Sequence, residues 1–232
     1  MVHLYLMPDW FTQYNILLHL FFGIITLLVS VFSFRIYKLS GQRSSRLFAF
    51  SFLCFSLAYF IEFFMNSLIL FKITQDISVA LKIFSINIIN LILINFHLIL
   101  FTIGLVTLAY MTLRVKSPKT YCLLLVLSLI SLFLVSNPIF FYYLFSIILL
   151  IYVSLHYLLN YLAKKKISSL LMLMAFILLL IGNIPLLFSI SNHETYYVIG
   201  HFLEVIAYLF ILINLIMVQR HEQKARPTSN RT

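Results

Sequence analysis

YCLLLVLSLISLFLVSNPIFFYYLFSIILLIYVSLHYLLNYLA, residues Tyr121–Ala163, is about twice as long as the apolar segment needed to cross a bilayer. Read as one kinked helix, it gives the chain six spans. Read with a turn at Ser136, Asn137 and Pro138, it gives seven. Asn-Pro is a good turn initiator, and the charges require the turn. Lys and Arg near span ends are retained on the cytoplasmic side, and a single helix would put Lys164, Lys165 and Lys166 opposite Arg114 and Lys119.

The same rule organises the rest of the chain. Of its 16 Lys and Arg residues, only Lys72 and Lys82 fall outside four groups that occupy every second connection. The groups are Arg35, Lys38, Arg43 and Arg46; Arg114, Lys116 and Lys119; Lys164 to Lys166; and Arg220, Lys224, Arg226 and Arg231. They predict an all-α seven-transmembrane-helix bundle with its N-terminus outside and its C-terminus cytoplasmic. The spans fall near 15–34, 47–70, 83–113, 119–135, 139–163, 167–190 and 195–218. Together they form one domain, 1–218, with a basic tail at 219–232. Span three is longer than a membrane needs and is expected to tilt or protrude. Gly182, Asn183 and Pro185 predict a kink in span six.

Composition agrees. With 63% apolar and 9% charged residues, the chain has too little polar surface to close as a soluble globule. The expected location is the plasma membrane, as a multi-pass integral protein in contact with the lipid bilayer. The formal charge of +10 sits at span ends, where orientation and contact with anionic headgroups explain it, so no nucleic-acid partner is expected. The tail, with Pro227 among basic and polar residues, is expected to be disordered. Cys54 and Cys122 lie inside apolar stretches as small hydrophobes. The first residues lack a basic n-region, so the first span reads as a retained signal anchor.

Six ionisable side chains fall within the spans: His19, Glu62, His97, His156, His201 and Glu204. At a rise of about 1.5 Å per residue, Glu62 and Glu204 each lie about 12 Å from the external end of their spans, with His201 one turn further out. His19 and His97 belong to the same leaflet, and only His156 falls in the inner half. An ionisable group in hydrocarbon is costly, so each should face the bundle interior or a wet cavity and have a partner. The joint solution is a polar pocket open toward the outside, while His156 and Asn160 are expected to bridge helices.

Helical spacing supports the pocket. Tyr197, His201, Glu204 and Tyr208 share one face of span seven. Ser51, Tyr59, Glu62 and Asn66 form a stripe on span two, and Asn87, Asn90, His97 and Gly104 one on span three. The candidate ligand-binding residues are therefore His19, Glu62, Asn66, Asn90, His97, Tyr197, His201, Glu204 and Tyr208. Three chemistries suit them. His and desolvated Glu make a proton-responsive pocket or one for a small ligand. His97, His201, Glu62 and Glu204 are adequate ligands for zinc or another divalent metal, and two His at matching depth suit axial ligation of haem. A structural role in a membrane complex is the third reading. No catalytic residues are assigned: no Asp lies within a span for a Ser, His and Asp set, and span seven has no Lys for a retinal Schiff base. The chain shows no inverted repeat of the transporter kind.

Phe34-Arg35-Ile36-Tyr37-Lys38-Leu39-Ser40-Gly41-Gln42-Arg43, followed by Ala49-Phe50-Ser51-Phe52-Leu53, resembles the first loop and second span of seven-helix membrane sensor modules. Such modules precede histidine kinases or diguanylate cyclases, and related stand-alone forms occur in archaea. Gly200-His201-Phe202-Leu203-Glu204-Val205-Ile206-Ala207-Tyr208 is similar too. In contrast to those modules, no output domain is expected after span seven. The resemblance implies membrane-embedded sensing, with the signal passed to a separate cytoplasmic or membrane partner.

Overall fold

The computed structural model describes residues 11–74, 79–113, 115, 117–189 and 194–225, with side chains except those at 12, 13, 65, 68–74, 79–91, 93, 194 and 221–225. All regular structure among them is helical: α1 (Thr12–Ser40), α2 (Arg43–Thr74), α3 (Val79–Leu113), α4 (Pro118–Leu134), α5 (Pro138–Lys164), α6 (Ile167–Ser189) and α7 (Glu194–Ala225).

The turn that decides the reading of Tyr121–Ala163 is present. α4 ends at Leu134, and Asn137 caps α5 by accepting a hydrogen bond from the Phe140 N–H at 3.1 Å. Pro138 sits in the first turn, where its missing N–H costs nothing. At the basic end, Gly41 in the left-handed conformation (φ 67°) stops α1 and donates its N–H to the Tyr37 carbonyl. Lys165 (φ 48°) does the same for α5, donating to the Tyr161 carbonyl.

Six helices are long and apolar enough to cross a membrane, α4 being the exception. Its 17 residues extend about 25 Å, short of a hydrocarbon core of about 30 Å. By contrast α2 and α3, at 32 and 35 residues, outrun that thickness, and the long third helix anticipated from the sequence is seen. α7 runs to Ala225, so the first half of the expected tail continues the helix. The Lys72–Lys82 connection contracts because α2 and α3 extend into it. Its centre, 75–78, lies outside the described residues, as does the chain after Ala225.

The helices pack in chain order into a closed ring. α1 meets α2, α2 meets α3, α3 meets α5, α5 meets α6, α6 meets α7, and α7 returns to α1. α4 sits outside the ring against α3 and α5, with only Ser128 and Leu132 buried. Its foot is tied by Tyr121, whose hydroxyl lies 2.8 Å from that of Thr107.

Apolar side chains cover the outside of the ring as well as filling its core. On α1, Asn15, His19, Phe22, Thr26, Val29 and Ser33 alternate at spacings of four and three and are buried, whereas Leu17, Phe21, Ile24, Leu28 and Val31 are exposed. Such a face suits lipid, and the small polar residues turn inward to find partners. Ser30 donates to the Ala49 carbonyl at 2.8 Å, Ser56 to Gly23 at 2.9 Å and Ser51 to Gly104 at 2.6 Å, which staples α1 to α2 and α2 to α3. α6 stays one helix through Pro185, and Gly182 and Gly200 bring it against α7. A Cβ on Gly200 would lie 2.9 Å from the Gly182 carbonyl oxygen. This is the architecture of a multi-pass integral membrane protein.

Candidate functional site

The end of the ring opposite the Lys164–Lys166 turn holds the ionisable residues picked out by depth. Glu62 on α2 is shared by two histidines. Its Oε2 lies 2.9 Å from His97 Nδ1 on α3, a close contact without hydrogen-bond alignment, and 3.7 Å from His19 Nε2 on α1. The Asn66 amide is 3.4 Å from His19 Nδ1. If that amide donates, the His19 proton resides on Nε2, facing Glu62. On α7, His201 Nδ1 pairs with Glu204 Oε2 at 2.8 Å, the i, i+3 partnership that the spacing suggests.

Aromatic contacts join the two pairs. The His19 and His201 rings meet edge to face at 5.8 Å, and Tyr197 stands edge-on to His201 at 4.4 Å while donating to Asn15 Oδ1 at 3.1 Å. Deeper in, the Tyr59 and Tyr208 hydroxyls are 3.0 Å apart, linking α2 to α7, and Phe22 packs against both rings. Tyr142 on α5 reaches His97 at 6.5 Å. Five helices thus contribute to one continuous network, and its histidines are 1% (His19), 19% (His97) and 8% (His201) accessible at the side chain.

All the predicted ligand-binding residues with described side chains come together in this network; Asn90 lies outside the described side chains. The cavity that reaches Glu204, Tyr208, Tyr142, Ser146 and Asn183 has a volume of about 20 Å³, room for one water. His201 Nε2 is buried without a partner. The proposed metal ligands divide into two pairs, Glu62 with His97 and Glu204 with His201. Among the described residues no group of three or more His, Cys, Asp or Glu is arranged to hold a metal ion.

Sequence reading passed over Asn15, Tyr142 and Asn183. Asn15 stands four residues before His19 and shares its face, a signal that was available. His156 and Asn160 pair with each other along α5 at 2.7 Å and line a second, larger cavity at the basic end.

No protein-family model matches the chain, and none of the curated proteins matches its sequence.

Proposed function

We propose that the chain is a seven-span, proton-responsive sensor of the plasma membrane, with its N-terminus outside and its C-terminus in the cytoplasm. In this reading α4 crosses with help from its flanking polar turns, and the alternating Lys and Arg groups set the orientation. The carrying observation is the sharing of Glu62 between His19 and His97, with His201 and Glu204 adjoining through ring contact. One carboxylate can neutralise only one imidazolium, so gain or loss of a proton by either histidine changes which helix Glu62 binds. Imidazole is the side chain whose charge ordinarily changes between about pH 5 and 8. Ionisable side chains in mutual contact, beside a one-water cavity at Glu204 and Tyr208, suit a proton.

The response is mechanical. Along each ring helix a buried apolar residue separates the network from the basic end: Val29, Phe52, Leu108, Val153, Phe176 and Ile211. A change in pairing would reach the cytoplasm by shifting helices, above all α7, which carries His201 and Glu204. A partner contacting the basic loops would read the shift, as the resemblance to sensor modules implies.

Spin labels at Arg46 and Arg220, with Cys54 and Cys122 replaced, test the proposal. The distance between them should change between about pH 8 and pH 5 and stay fixed in Glu62→Gln. A distance indifferent to pH, or a change undiminished in that variant, overturns it. Span count is tested by an impermeant thiol reagent on intact cells, which should modify Ser136→Cys from outside and Lys165→Cys only after permeabilisation.

A further inference from the structure

The mouth of the ring at the basic end is a cavity of about 680 Å³, within the range of about 300–1,000 Å³ typical of ligand sites. It is lined by α1, α2, α3, α5, α6 and α7, and its chemistry is one-sided. Lys164 and Lys166 stand at the rim, with Gln42, Ser44 and Ser45 opposite and Ser168 and Ser169 beside them. Among the described residues no Asp or Glu is part of the lining.

The floor is polar too. Ser33 lies about 10 Å below Ser40 along α1. It is 1% exposed, and its hydroxyl has no hydrogen-bond partner. Asn214, 3% exposed, accepts from the Ser168 hydroxyl at 2.7 Å, and the His156 and Asn160 pair forms part of the wall. A buried hydroxyl without a partner is costly in an apolar surrounding. Ser33 belongs to the lining of this cavity, with its hydroxyl enclosed.

The helix ends sharpen the chemistry. The N-termini of α2 and α6 open onto this mouth, because residues of their first turns line it. They bring the positive ends of two dipoles, with the Ser45, Ser169 and Leu170 N–H groups already bonded to the Gln42 and Lys166 carbonyls. At the C-termini of α1 and α5, which carry the opposite sign, one carbonyl each, Tyr37 and Tyr161, is engaged by the N–H of Gly41 and Lys165.

We infer that the basic mouth is a binding site for a phosphate group, seated between Lys164 and Lys166 and reaching toward Ser33 and Asn214. Phosphate offers acceptor oxygens and negative charge to a lining of ammonium groups, hydroxyls and amides. Two sources share that chemistry: a free phosphate anion from the aqueous side, or the headgroup of an anionic phospholipid drawn in from the adjoining leaflet. None of the His and Glu network residues is in the lining of this site.

Calorimetric titration of the full chain in neutral detergent tests the inference, with inorganic phosphate in one arm, dihexanoyl phosphatidic acid in the other and chloride as control. Binding of phosphate in both arms identifies a free-anion site, and binding of the lipid alone identifies a headgroup site; either supports the inference. Lys164→Gln with Lys166→Gln should weaken binding at least about tenfold, and Ser33→Ala about threefold. Lys165→Gln, which removes the same charge from a residue outside the lining, should change affinity less than about twofold. The inference is overturned by saturation in neither arm. It is equally overturned if Lys165→Gln weakens binding as much as Lys164→Gln, or if Ser33→Ala has no effect, since both describe diffuse attraction to surface lysines.

Discussion

At one end of the ring, buried polar groups are spent on each other: Glu62 on His19 and His97, His201 on Glu204, Tyr59 on Tyr208, Tyr197 on Asn15. At the basic end, Ser33 and Asn214 are buried just as deeply, yet they line a cavity of about 680 Å³ beside two lysines. Both ends meet the demand that polar groups in a membrane protein face inward. They differ in what completes them. At the first, the groups meet other side chains of the chain, although Glu62 Oε2, His97 Nδ1 and His201 Nε2 lack an aligned hydrogen bond, the setting of the proposed proton response. The second borders open space, the setting of the proposed phosphate site.

Removing a partner from the closed end should therefore cost far more than removing a group from the open end. The largest effect is expected for Glu204→Ala. It strands His201 at 8% accessibility and should lower unfolding free energy in detergent by about 3 kcal/mol, read from chemical denaturation. Glu62→Ala should cost less, because that carboxylate is 30% accessible. Next comes Tyr59→Phe. Loss of the 3.0 Å contact to Tyr208 should cost about 1 kcal/mol, and a cycle with Tyr208→Phe should show that the two losses are not additive. The smallest effect is expected for Ser33→Ala without added ligand. Its hydroxyl has no partner to lose, so stability should move by less than about 0.5 kcal/mol. A Ser33→Ala loss as large as that of Glu204→Ala would erase the distinction between the two ends.

Legibility in the sequence followed the same division. The alternating charges and the Asn137-Pro138 signal located the helices, because hydrophobic runs and turn chemistry are local properties. Depth along each helix then gathered His19, Glu62, His97, His201 and Glu204, because rare ionisable residues in apolar runs stand out individually. Asn15 was missed because it is neutral, although its spacing from His19 pointed to it. The basic cavity was invisible for a different reason. Ser33, Ser44, Ser168 and Asn214 are commonplace residues on four helices, and only the packing of the ring makes them neighbours. His156, read as a helix-bridging residue, pairs with Asn160 along α5 and lines that cavity. The shortness of α4 was legible as a number but not as a consequence, since the charge rule counts crossings without measuring them.

The central claim is that the Glu62 network exchanges protons as a unit. Infrared difference spectra of the purified protein between about pH 8 and pH 5 test it most directly. The account predicts coupled imidazole and carboxyl bands in the wild type, both altered by Glu62→Gln and by His97→Ala. Spectra of the two variants superimposable on that of the wild type would contradict it.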